Sequence, residues 1–119
     1  MHVPLNQENY HLFDKASFDM MKDGAYFINA ARGGIVDNEA LIEALKSGKL
    51  RAAGLDVFSP EPYVEGELLS LDNVIITPHV ASETTAARIA MAKETLDGVA
   101  SLVRNEIPYN VVNHEALAR

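Results

Sequence analysis

Arg32, Asp56, Glu61 and His79 are the residues of this sequence whose types and placement could do chemistry. A guanidinium can hold a carboxylate in two parallel hydrogen bonds and polarise an adjacent carbonyl. An imidazole, titrating at about pH 6.5 when unperturbed, can give or take a hydroxyl proton. A nearby carboxylate can orient that imidazole and stabilise its protonated form. Arg32, Glu61 and His79 together therefore suit interconversion of a 2-keto acid and a 2-hydroxy acid, with the hydride supplied by a cofactor.

Each of these residues also has a plainer reading. An Arg at a strand end is ordinarily a solvated surface residue. Arg32, however, precedes Gly33-Gly34 and a helix start, where the helix dipole disfavours a cation unless an anion is near. A single His is ordinarily structural, and His79 gains weight only from its neighbours at other strand ends. Asp56 reads equally as a loop cap or a functional acid. Glu61, between Pro60 and Pro62, reads by pattern as an exposed loop acid. Gly33-Gly34 alone is a weak sign of an anion nest. His2, His11 and His114 show no ligand spacing with one another or with His79, so no metal site is expected.

The elements that must position these groups follow from apolar runs and breakers. Residues 26–31 form a short apolar run between Gly24 and Gly33-Gly34, which suits a buried strand. Residues 37–48 read as a helix, capped by Asp37 or Asn38, with Leu41 and Leu45 on one face and Gly48 as its stop. Residues 51–58 read as a second strand, and 74–77 as a third, stopped by Pro78. A Pro- and Glu-rich loop joins them. A last long helix, capped by Ser82, carries Ile89, Ala92, Leu96, Val99 and Val103 at helical spacing, a stripe read as core. Leu12, Phe13 and Ala16 mark one earlier helical stretch. Phe18 and Met21 mark another, with Ser17 as its cap. Val3-Pro4-Leu5 reads as the end of a strand. Buried strands alternating with helices predict an α/β fold with a parallel sheet, in which ligands bind beyond the carboxyl ends of the strands. Arg32, Asp56 and His79 fall at three such ends.

Composition narrows the function further. The 119 residues fit one domain by size. With 17 acidic against 10 basic side chains the net charge is −7. Such a surface repels phosphate backbones and anionic lipid, so no nucleic-acid or membrane partner is expected. There is no apolar stretch of membrane-span length and no signal-peptide pattern at the start. There is also no Cys. The cytoplasm is the expected location.

These motifs resemble the D-isomer-specific 2-hydroxyacid dehydrogenases, in the C-terminal part of their NAD-binding domain. The resemblance runs from His2-Val3-Pro4-Leu5 to about Pro108-Tyr109-Asn110. It is carried by Met21-Lys22-Asp23-Gly24, Asn29-Ala30-Ala31-Arg32-Gly33-Gly34, Gly54-Leu55-Asp56-Val57-Phe58, Glu61-Pro62 and Thr77-Pro78-His79-Val80-Ala81. It implies a partial Rossmann-like parallel sheet with flanking helices. It implies that Arg32 binds the substrate carboxylate and that His79 is the acid/base with Glu61 as its partner. It implies that Asp56 meets the nicotinamide side of NAD or NADP. Val3, Pro4, Ala30, Ala31 and Ala81 would approach the cofactor through backbone and small surfaces. The related formate dehydrogenases carry an amide in place of the loop acid, so Glu61 favours the hydroxyacid branch.

The family's G-x-G-x-x-G loop occurs nowhere in the sequence, nor does the acid that would bind the adenosine ribose. The substrate domain is absent too, and the chain closes on Val111 to Leu117 where the family's returns to that domain. The expectation is therefore a partial NAD-binding domain over residues 1–119, inactive alone on its small 2-keto or 2-hydroxy acid. A homodimer or self-association through an exposed edge is expected of such a chain.

Overall fold

The computed structural model describes residues 1–63 and 65–113. The expectations for His114 and for the end of the chain lie outside them. Where size suggested one domain, the chain forms two compact units, Met1–Ala81 and Ser82–Arg119.

The first unit is built on three parallel strands in the order β1 (Ala25–Asn29), β2 (Leu50–Leu55) and β3 (Val74–Ile76). Phe27 pairs with Ala53 and Asn29 with Leu55, and Leu55 pairs in turn with Ile76. All three strands therefore end level at one edge of the sheet. Between β1 and β2 runs α2 (Asn38–Lys46), whose N-cap is Asp37. The Asp37 carboxylate accepts from the Glu39 and Ala40 N–H groups at 3.0 and 3.2 Å, satisfying two of the free donors of the first turn. Asp37→Ala is expected to cost about 1 kcal/mol in chemical denaturation. Gly48, at φ +78°, takes the left-handed turn that ends this segment.

The first helix differs from its reading. A single α1 (Lys15–Met20) is capped by Asp14, which accepts from Ser17 N–H. Ser17 lies inside this helix, and its hydroxyl donates to the Leu12 carbonyl at 2.8 Å instead of capping a helix start. Phe13 lies outside the helix and bridges to Val36. Residues 3–5 form no strand. Pro4 has no N–H to give a ladder, and its carbonyl accepts from Asn9 Nδ2 at 2.7 Å in a loop organised by Asn6 and Asn9.

Phe18, Phe27, Leu41, Leu45, Leu50, Leu55 and Leu68 form the core, packed under α1 and α2. The apolar strands were expected to be buried. Instead burial alternates along β1, and Tyr26, Ile28 and Ile75 are 66%, 64% and 74% exposed. The helices of this unit cover one face of the sheet, which sends every second side chain to the open one.

In the second unit α3 (Thr85–Val103) is capped by Thr84, not Ser82, through Ala87 N–H at 3.1 Å. Its apolar stripe is not core: no residue of the helix is buried, and Ile89, Leu96, Val99 and Val103 are all exposed. Periodicity reports an apolar face, not what covers it. Among the described residues no helix is long and apolar enough to cross a membrane.

Candidate active site at the carboxyl edge of the sheet

Asn29 shapes the end of β1. It is buried, its Oδ1 accepts from Ala31 N–H at 3.0 Å and its Nδ2 donates to the Arg32 carbonyl at 3.1 Å. This side chain replaces the ladder bonds that the chain loses as it leaves the sheet. Arg32 follows on an extended backbone, exposed, with Nη1 donating to the Ala31 carbonyl at 2.6 Å. Among the described residues it forms no ion pair. The next turn, Gly33–Ile35, begins with Gly33 lying directly on the backbone of Phe58, three residues beyond the end of β2. That contact brings the first strand end against the loop that carries Glu61.

Glu61 is fixed at both oxygens. Oε1 accepts from the Phe58 N–H at 2.8 Å, and Oε2 meets His79 Nδ1 at 2.9 Å. The bond from His79, then that from Phe58, holds its carboxyl below the usual glutamate range, and the Arg32 charge adds to this against the effect of burial. Glu61 is therefore an ionised acceptor near neutral pH, and Nδ1 must carry the proton. Nε2 of His79 has no hydrogen-bond partner among the described residues. Glu61 is the exposed loop acid its pattern suggests, and it also bonds to the imidazole. The loop between the prolines places it on the imidazole.

Arg32, Glu61 and His79 line one open cleft of about 290 Å³, together with Leu5, Gly34 and Phe58. The structure brings these three together. A second, more apolar cavity of about 470 Å³ lies against Glu61 and His79, walled by Phe58, Tyr63, Ile76 and Pro78.

Asp56 stands apart from the cleft. It is 7% exposed, and its oxygens accept from Thr77 Oγ1, Val80 N–H and Ala81 N–H at 2.5, 2.8 and 2.8 Å. Burial pushes its carboxyl up. The bonds from Thr77, Val80 and Ala81 outweigh that and hold it below its ordinary value of 3.8. A carboxyl with a depressed folded value stabilises the fold above its unfolded value. That contribution is lost as pH falls through the folded one. Asp56→Ala is expected to cost about 2 kcal/mol at neutral pH. It should also flatten the loss of stability below pH 3.8, measured by urea unfolding across the acid range.

Of the other expected cofactor contacts, Ala31 is buried, Ala30 half-buried, and Val3, Pro4 and Ala81 exposed. The N–H groups of Ala31, His79, Val80 and Ala81 are already engaged within the chain. A pyrophosphate needs free backbone donors at a helix start, whereas a nicotinamide ring needs a small flat surface. The N–H groups of Ala31, Val80 and Ala81 are not such donors. Two residues escaped the sequence reading: Asn29, a buried amide inside an apolar run, and Thr77, two residues before the His. The signal for Asn29 was present, since a buried amide must have partners.

The family model for the D-isomer specific 2-hydroxyacid dehydrogenase NAD binding domain matches residues 1–81. The chain belongs to this family. It is 44% identical over 117 residues to the glyoxylate reductase of Thermococcus litoralis, covering 98% of this chain and 35% of that protein. The D-lactate dehydrogenase of Lactobacillus jensenii, solved with NAD+, superposes with a TM-score of 0.83 at 34% identity, over 93% of this chain and 38% of that one. The D-lactate dehydrogenase of Escherichia coli gives 0.81 at 39% identity, over 92% and 34%. The chain thus spans about a third of the length of such relatives. The three parallel strands are part of a Rossmann-like NAD-binding domain.

Proposed function

We propose that this chain supplies the substrate-binding and proton-transfer edge of an NAD(P)-dependent enzyme that interconverts 2-keto acids and D-2-hydroxy acids. The observation that carries this reading is the bond between His79 Nδ1 and Glu61 Oε2 in a cleft shared with Arg32. Arg32 holds the substrate carboxylate through two charge-assisted hydrogen bonds and polarises the adjacent carbonyl. His79 gives a proton from Nε2 to the keto oxygen, or takes one from the hydroxyl in the reverse direction. Glu61 holds the ring and balances the charge of the imidazolium. The nicotinamide, when bound, supplies or accepts the hydride. Ala30, Ala31, Val3, Pro4 and Ala81 offer it small surfaces, with Asp56 behind Ala81. The enzyme acts in the cytoplasm, a reading supported by the lack of Cys.

The 119-residue chain is expected to be inactive by itself, because it carries no G-x-G-x-x-G cradle. The test is a hybrid in which this chain replaces the matching 117 residues of the Thermococcus litoralis glyoxylate reductase. With glyoxylate and NADH or NADPH the hybrid should turn over and the chain alone should not. A hybrid that folds and binds cofactor without turnover would overturn the assignment. In the active hybrid Arg32→Lys is expected to raise KM for glyoxylate roughly 100-fold, because a point charge cannot make the paired bonds.

A second reading, a self-associating or complementing module, is favoured by the open sheet face at Tyr26, Ile28 and Ile75. Sedimentation of the chain across concentration decides it, and a monomer throughout would reject it.

A further inference from the structure

We infer that Asp56 is a positioning residue for His79, gripping the backbone on both sides of it so that the imidazole meets Glu61. The inference rests on His79 as the proton-transfer group proposed above.

The three groups that Asp56 accepts from are not scattered. They are the hydroxyl of Thr77, two residues before His79, and the N–H groups of Val80 and Ala81, the two residues after it. The grip therefore straddles a single residue. That residue has φ +56°, in the left-handed region that non-glycine side chains rarely occupy. Its own N–H is turned back onto the Thr77 carbonyl at 3.1 Å. Such a backbone persists only where its surroundings over-determine it. Here the determinant is a buried carboxylate accepting three hydrogen bonds. In a relaxed extended conformation the His79 side chain would leave on a different bearing and its Nδ1 would lose Glu61.

Asp56 touches neither the ring of His79 nor Glu61 through a hydrogen bond. Its effect is exerted through the main chain. An Asp56→Asn change preserves volume but replaces one accepting oxygen by a donor. Whichever way the amide turns, that donor faces the N–H of Val80 or of Ala81, which cannot accept, so the grip fails at one side.

The test uses the full chain labelled with 15N-histidine, with His79 resonances assigned from a His79→Gln variant. In the wild type the bond to ionised Glu61 holds the ring in the tautomer protonated at Nδ1, seen in its two ring 15N shifts. Asp56→Asn is expected to shift His79 to the tautomer mixture of free histidine while the dispersed spectrum of the core remains. A folded Asp56→Asn chain with an unchanged His79 ring and only a lower Tm would overturn the inference, since a merely structural acid lowers Tm without moving the ring. If Asp56→Asn does not fold, Thr77→Val decides by the same criterion. A smaller shift of the ring in the same direction supports the grip, and no shift overturns it. These outcomes are separate from the activity assignment. A His79→Ala hybrid that keeps full turnover would remove His79 from the chemistry and leave the tautomer result intact.

Discussion

Gly33→Ala is expected to destabilise the first unit by about 4 kcal/mol or more, most of the margin of a domain at the low end of ordinary stability. A Cβ at Gly33 would lie 1.9 Å from the carbonyl carbon of Phe58 and 2.0 Å from its oxygen. Both are backbone atoms, so no rotamer change relieves the clash. Phe58 cannot retreat easily. Its side chain is buried against the core and its N–H is bound to Glu61. The neighbouring glycine is the control. At Gly34 the nearest atom to an added Cβ is Leu5 Cδ2 at 3.1 Å, the end of an exposed side chain. Gly34→Ala should therefore cost about 1 kcal/mol or less, within the range of a tolerated overpacking. Thermal unfolding by circular dichroism compares the two. Equal melting temperatures would show that the close approach at Phe58 does not constrain the fold.

The second large effect concerns proton transfer in the glyoxylate reductase hybrid. His79→Ala should lower kcat by roughly 10² to 10⁴-fold, the usual contribution of a positioned acid or base. Glu61→Gln should be nearly as damaging in the oxidative direction. The Phe58 N–H needs an acceptor, so the Gln oxygen turns to it and the amide nitrogen turns to His79. Nδ1 must then accept, and the neutral ring carries its proton on Nε2, where it cannot take one from a hydroxyl. In the reductive direction the loss should be smaller, because a protonated ring still presents Nε2–H. Steady-state rates in both directions separate the two roles. A Glu61→Gln hybrid with full oxidative turnover would mean that the carboxylate does not set the tautomer.

The parallel sheet and the placing of Arg32 and His79 at strand ends on one edge were legible because each depends on local pattern and one topological rule. Asp37 as a cap was legible for the same reason. The single α1 was not, because Asp14 and Ser17 are both good caps and tertiary context decides between them. The open faces were not legible either. Tyr26, Ile28 and the stripe of α3 are as apolar as core residues, and hydrophobicity does not say which partner surface is present. Asp56 was left between two readings. Its donors come from residues 21 to 25 positions away, which no local pattern records.

The three groups of the site follow three neighbouring strands, and this gives the site two unequal coordinates. Across the sheet, neighbouring strands stand about 4.8 Å apart, a spacing set by the backbone ladder and indifferent to side chains. Along the strand axis, each group's height depends on its own connection. Variation that retunes the site is therefore confined to one direction. It can lengthen or shorten the stretch between Phe58 and Val74, but it cannot move the guanidinium sideways relative to the imidazole without unzipping a strand.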